Sequence, residues 1–237
     1  MDKLSIAHLI NPIVAPVTSD LFVAQPITFE SMRRAQEFAH GSVRVDLLAA
    51  VYPEDAEVVP DHFKTTPYLE RSVLDVSNFV QKRKLPLLKD LLDRAFDGSD
   101  ADWVIYTNLD ISVMPNFYVA VKRLIEEGND SLIINRRTIS NTWSKLSDLE
   151  LMYDDPSESH RGYDCFVFPR GWIPTLDVGD ICIGVPYIGL ALALGLIVHS
   201  KSFKLIEDAH LTFHIGNDKF GLNPKFMDYS LFNQHQA

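Results

Sequence analysis

The chain has only two cysteines in 237 residues, Cys165 and Cys182, each set among apolar neighbours. Two are too few for a disulfide framework, so reduced, buried thiols are expected. Positive charge is scarce as well: 22 Lys and Arg against 32 Asp and Glu leave a formal net charge of -10. Gripping a phosphate backbone takes clustered cations, so nucleic acid is excluded as the main partner. The one tight basic cluster, Lys82-Arg83-Lys84, is either a solvated edge or a small anion grip. No basic stretch leading into an apolar core and a small-residue cleavage site opens the chain, and a cytoplasmic location is expected.

One segment lacks charge altogether. Ile181 to Ser200 contains no Asp, Glu, Lys or Arg, and a run of that length is the size of a membrane span. Gly184, Pro186, Gly189 and Gly195 interrupt it, and a strand-like run follows at Phe203 to Glu207. The expectation is a loop and then a buried helix from about Pro186 to Val198. A membrane-associated segment making a peripheral contact is the alternative.

What is present is an ordinary globular mix, 46% hydrophobic and 23% charged, with no internal repeat or linker. Leu4 to Ile10 predicts a strand, and the Pro-rich stretch up to Pro26 a loop. Thr28 is placed to cap a helix with Phe29, Met32, Ala35, Phe38 and Ala39 on one face, closed by Gly41. Alternation from Val43 to Val51 predicts a second strand, hence a right-handed βαβ unit. Pro60 and Pro67 chop the region from Pro53 to Val80, where a short helix and one short strand near Arg71 to Val76 are all that is suggested. Leu85, Leu88, Leu91, Leu92, Ala95 and Phe96 predict an amphipathic helix from about Pro86 to Gly98. Further strands are expected at Ser131 to Asn135, Asp164 to Phe168 and Leu211 to Ile215, with an irregular flap from Asn141 to Arg161.

The chemistry concentrates between Asp102 and Asn116. Trp103 to Tyr106 is a short buried-strand pattern, Asn108 and Asp110 follow at its carboxyl end, and Pro115 opens a helix carrying Phe117, Val121, Leu124 and Ile125 up to Gly128. In open α/β sheets ligands bind at such strand ends. A carboxylate there is a site candidate.

This order of βα units, with Thr107-Asn108-Leu109-Asp110-Ile111 ending the strand and a Pro-led helix after it, resembles the GT-A type of nucleotide-sugar glycosyltransferase. The resemblance implies a single α/β domain over 1–237, with a mostly parallel central sheet flanked by helices and a more irregular second half. Residues 1–135 would be the nucleotide-binding half and 136–237 the acceptor-side half. It further implies an Asp-x-Asp motif holding a divalent cation, Mn²⁺ or Mg²⁺, on the donor diphosphate, whose departing negative charge a hard cation neutralises. Here Asp110 supplies a carboxylate, while Asn108 offers only an uncharged carbonyl oxygen, which weakens the expected metal affinity. His214, in Leu-Thr-Phe-His-Ile-Gly-Asn-Asp, matches the family's C-terminal metal ligand, with His210 as competitor.

If transfer inverts the anomeric centre, the acceptor hydroxyl must lose its proton to a base. Asp164 is the first candidate and Asp180 the second. Arg136, Arg137 and Lys84 are candidates to meet phosphates, and Asn11 stands where similar enzymes begin the nucleotide pocket. The implied partners are a nucleotide-sugar donor and an acceptor of glycan, lipid or small-molecule type. Three other readings compete. A nucleotidyltransferase is disfavoured because Leu4 to Ala15 contains no glycine for a phosphate loop. A nucleotide-sugar binding module without turnover draws on Asn108. A metal-dependent hydrolase would use Asp110, Asp164, Asp208, His210 and His214, which show no compact ligand spacing. For each candidate, a turn, cap or surface role is the plain alternative.

Overall fold

A computed structural model describes residues 3–217 and 226–237. The first strand, β1, covers Ser5–Ile10 and is followed by helix α1, Asp20–Ala39, and strand β2, Arg44–Ala49. The βαβ expectation holds, since β1 pairs parallel to β2 from Ser5↔Arg44 to Ile10↔Ala49. Helix α1 nevertheless begins well before Thr28. Ser19 Oγ accepts from Leu21 N at 3.2 Å and caps it, and Pro26 lies inside it on an exposed face. There the carbonyl that the proline ring leaves without a donor can bond to water, so the helix continues through it. Thr28 instead packs inside, its Oγ1 3.2 Å from Ser112 Oγ.

Between β2 and the next long helix come a 3-10 turn at Pro53–Val58, the two-residue edge strand β3 at Lys64–Thr65, and a second turn at Val73–Asp75. A capping box between Ser72 and Asp75 fixes that second turn. Helix α2, Leu88–Gly98, leads into strand β4, Trp103–Thr107; then come the short strand β5, Ser112–Val113, helix α3, Phe117–Glu126, and strand β6, Ser131–Ile139. The second half holds helix α4, Leu149–Tyr153, strand β7, Glu158–Pro169, helix α5, Ile188–His199, strands β8, Phe203–Ile206, and β9, Thr212–Ile215, and helix α6, Met227–Gln236.

All nine strands of the described residues share one sheet, ordered β3-β2-β1-β4-β7-β6-β9-β5, with β8 also on β6. Most pairings are parallel; β7 runs against both β4 and β6, and β5 against β9. Side-chain alternation splits the core in two. Ala7, Leu9, Leu48, Val104 and Tyr106 face α2 and α5, whereas Ile6, Ile10, Leu47, Ala49 and Ile105 face α1 and α3. The uncharged segment becomes α5, but it is buried on one side only: Ala191, Leu192, Ala193 and Leu196 pack on the first face, while Leu190, Leu194, Ile197 and Val198 are exposed. Among the described residues no helix is long and apolar enough to cross a membrane.

Three expectations about the second half change. Residues 141–161 are not a loose flap, because Leu149 and Met152 of α4 bury against Ile27, Ile139 and Phe213. Strands β6 and β7 both run on into polar sequence, since their far halves pair with β9 and with each other. Helix α6 had no expected counterpart. It seats through Asn233, whose amide donates to the carbonyls of Cys182 (2.8 Å) and Pro186 (3.0 Å) and accepts from Cys182 N.

Candidate active site

Four strands end, or bend, at one rim of the sheet. Strand β4 delivers Asn108 and Asp110 from its carboxyl end. Strand β9 brings His214 alongside through its pairing with β6 and β5. Between Asn135↔Tyr163 and Arg137↔Ser159, β6 spends one residue where β7 spends three, His160 to Gly162. That bulge kinks β7 and turns Arg136 inward, toward Asp164 and His160.

The first pair is Asp110 with His214. His214 Nδ1 donates to the Gly216 carbonyl at 2.7 Å, which fixes the ring and turns Nε2 toward Asp110 Oδ2 at 3.2 Å. Burial disfavours charge on both groups, but each holds the other's. The His214 hydrogen bond, with the charges of His214 and Arg136, keeps the Asp110 carboxyl below its usual range. Hydrogen bond and charge from Asp110 raise the imidazole above its ordinary value.

The second set surrounds Asp164, which is 8% exposed. Asn108 Nδ2 donates to its Oδ1 at 3.2 Å, and Arg136, at 2% exposure, places Nη1 3.4 Å from its Oδ2. Tyr106 lies beneath and donates to Asn108 Oδ1 across 3.5 Å. Burial raises the Tyr106 phenol, with Asp110 and Asp164 adding to the effect. Tyr106 and His160 were missed in the sequence: a strand tyrosine looks like core, and only Gly162 hints at the bulge that brings His160 in.

The other candidates lie apart from these contacts. Asn11 Nδ2 donates to the Ala50 carbonyl at 2.6 Å, tying together the ends of β1 and β2 on the same rim. Lys84 pairs with Glu54 and sits 3.8 Å above the Tyr52 ring, beyond β2. Asp180 donates its backbone N–H to Gln236 at 3.1 Å. Arg137 points the other way, to Asp208 and Ser157. An open cleft of about 640 Å³ lies at the opposite rim, where β1, β2 and β4 begin. Polar side chains of its lining are already engaged, Ser5 by Asp102 within the cleft and Arg44 by Asp100 outside it. Volume alone therefore does not move the chemistry there.

Asp110 and His214 offer one oxygen and one nitrogen side by side, with the imidazole oriented by a backbone carbonyl as metal-bound histidines are. Among the described residues no group of three or more His, Cys, Asp or Glu could hold a metal. The pair supplies only two donors, so a cation held there would have to take its remaining ligands from phosphate and water.

No known protein-family model matches the sequence, and no curated protein matches it. Solved structures do. Residues 1–349 of S. aureus TarS in complex with UDP-GlcNAc superpose with a TM-score of 0.58 at 8% identity, covering 98% of this chain and 66% of that one. Another TarS structure gives 0.55 at 9% identity, covering 97% of this chain and 39% of that one. The chain thus spans just under two thirds of the 1–349 fragment and much less of the longer TarS chain. At such identities the likeness is one of fold alone, and the fold is of the GT-A/Rossmann-like type.

Proposed function

We propose that this chain is a glycosyltransferase that binds a nucleotide sugar across the β4 rim and passes its sugar to an acceptor hydroxyl. The observation that carries the reading is the meeting of Asp110–His214 with Asn108, Asp164 and Arg136, brought together from β4, β6, β7 and β9. A fold found in a protein captured with UDP-GlcNAc supports it at the level of architecture. In this reading residues 1–135 serve the nucleotide and 136–237 the acceptor.

Departure of a nucleoside diphosphate concentrates negative charge where Arg136 holds a buried, permanent positive one. Asp110 and His214 are the residues that would hold Mn²⁺ or Mg²⁺, which supplies further positive charge to the leaving group when bound. Asp164, with Arg136 Nη1 3.4 Å from its Oδ2, takes the proton of the attacking hydroxyl. Asp180 is the alternative base. Asn11 and Lys84 lie along the β1–β2 end of the rim, where the nucleotide would extend.

Calorimetry of the purified chain against UDP and GDP, each with Mn²⁺ and with chelator, tests the reading when repeated on Asp110→Ala. Metal-dependent binding lost in the variant supports it. Absence of binding by either nucleotide to a folded chain removes it. Binding of UDP-GlcNAc with neither transfer nor donor hydrolysis would select the binding-module reading instead. The hydrolase reading draws less from the geometry, because Asp208 is committed to Arg137, away from Asp110.

A further inference from the structure

Asp164 is held from two sides, and the side facing β4 is informative. A carboxylate only accepts hydrogen bonds, so the group of Asn108 that lies 3.2 Å from Asp164 Oδ1 has to be its NH₂. The amide carbonyl is then turned toward Tyr106, whose hydroxyl donates to it across 3.5 Å. Both polar ends of Asn108 are therefore engaged by protein. The oxygen that a metal would need from this position is the one turned to Tyr106.

A carboxylate at position 108 would set two acceptor-only groups about 3 Å apart in a site where Asp164 is 8% exposed. Neither group could donate to the other, so the contact that now fixes Asp164 Oδ1 would be lost. Among the described residues Arg136 also faces Asp164, with His160 beside Arg136 at the bulge, and Tyr106 feels the charges of both Asp164 and Asp110. Of these only Arg136 is permanently positive, and it stands at the opposite oxygen.

We infer that Asn108 is the positioning residue of Asp164, not a weakened first ligand of a metal motif, and that any metal contact from the β4 loop falls to Asp110. The inference rests on Asp164 being the base of the proposed transfer, and it explains why an amide stands where the related motif has an acid. It turns a departure from the expected pattern into a requirement of the pair.

The test needs no turnover. Carboxyl titration by ¹³C NMR follows Asp164 in the wild-type chain and in Asn108→Asp, while binding of Mn²⁺ alone is read by water proton relaxation. In Asn108→Asp one carboxyl of the pair should titrate at least about one unit above wild-type Asp164, with Mn²⁺ affinity within about threefold. A tenfold gain in Mn²⁺ affinity, or no raised carboxyl, overturns the inference. If Asn108→Asp does not fold, Asn108→Ala decides: Asp164 loses a donor and its carboxyl rises, with Mn²⁺ affinity unchanged, whereas a fivefold loss of Mn²⁺ affinity overturns it. Failure of UDP and GDP to bind would strike the transferase reading and leave these two readouts intact.

Discussion

Asp110 favours the protonated form of His214, and His214 together with Arg136 favours the ionised form of Asp110. The sign of the resulting pH dependence follows from the two shifts. The raised imidazole contributes stability that is complete below its ordinary value of 6.5 and is lost as pH rises through the folded value. The lowered carboxyl contributes above 3.8, and that share is lost as pH falls through its folded value. Asp110→Asn should therefore cost about 1–2 kcal/mol near pH 6, and the gap to wild type should close toward pH 9. Urea unfolding across that range checks it, and a gap that does not change with pH would sink the pairing. What the sequence displays at this scale is residue types at strand ends, so Asp110 can be picked out from its loop alone. It does not display which ends meet: the His214–Asp110 contact spans 104 positions and Asn108–Asp164 spans 56.

At the scale of elements, local signals were readable wherever one face is apolar and one polar. Strand β2 and helices α2 and α3 show this, because burial on one face writes a period into the sequence, whereas β1, β4 and α5 are marked by their mostly apolar runs. Proline misled the reading of α1, because a proline whose face is wet breaks less than its rule suggests. Replacing it should help: Pro26→Ala supplies the missing N–H on an exposed face and should stabilise the fold by about 1 kcal/mol, the helix gain exceeding the entropy returned to the unfolded chain. A thermal melt that drops instead would show that the ring itself is needed. Glycine marks a contact the sequence hides. A methyl at Gly189 of α5 would stand 2.7 Å from the Tyr163 carbonyl oxygen and 3.1 Å from Tyr163 Cβ, on the neighbouring strand β7. Gly189→Ala should cost about 1–2 kcal/mol in urea unfolding even though alanine favours helix, because backbone cannot yield as a side chain would. A stabilised variant would mean that α5 stands farther from β7. Helix α6 stayed hidden because it seats mainly through two residues, Tyr229 and Asn233, rather than through a repeated apolar stripe.

For the whole molecule, fold class was legible because a βαβ start and apolar strands leave few architectures, whereas the reversal of β7 between β4 and β6 is a long-range choice with no local mark. The centre of that sheet sets how the molecule answers acid. His8 on β1 is wholly buried, with Nδ1 2.8 Å from Tyr118 Oη and Nε2 3.0 Å from Thr107 Oγ1. Both partners are neutral hydroxyls, so nothing compensates a proton there, and burial lowers the imidazole to about 3. Its contribution is complete above 6.5 and is lost as pH falls toward 3, since the unfolded chain takes up the proton first. At a cost of about 1.4 kcal/mol per pH unit, stability should fall by roughly 2–3 kcal/mol between pH 6.5 and 4.5. His214 cannot offset this loss, because its own contribution is already complete below 6.5. His210, also lowered by burial, pushes the same way. Net charge shrinks as pH nears the isoelectric point of about 5.2, so overall self-repulsion does not explain a loss in that range. His8→Gln, neutral at every pH, should be less stable than wild type at pH 7 yet show a much shallower acid slope, leaving the smaller share that belongs to His210. If urea unfolding gives the two proteins the same slope, the proton is being taken up elsewhere and the sheet centre is not the acid-sensitive part of this fold.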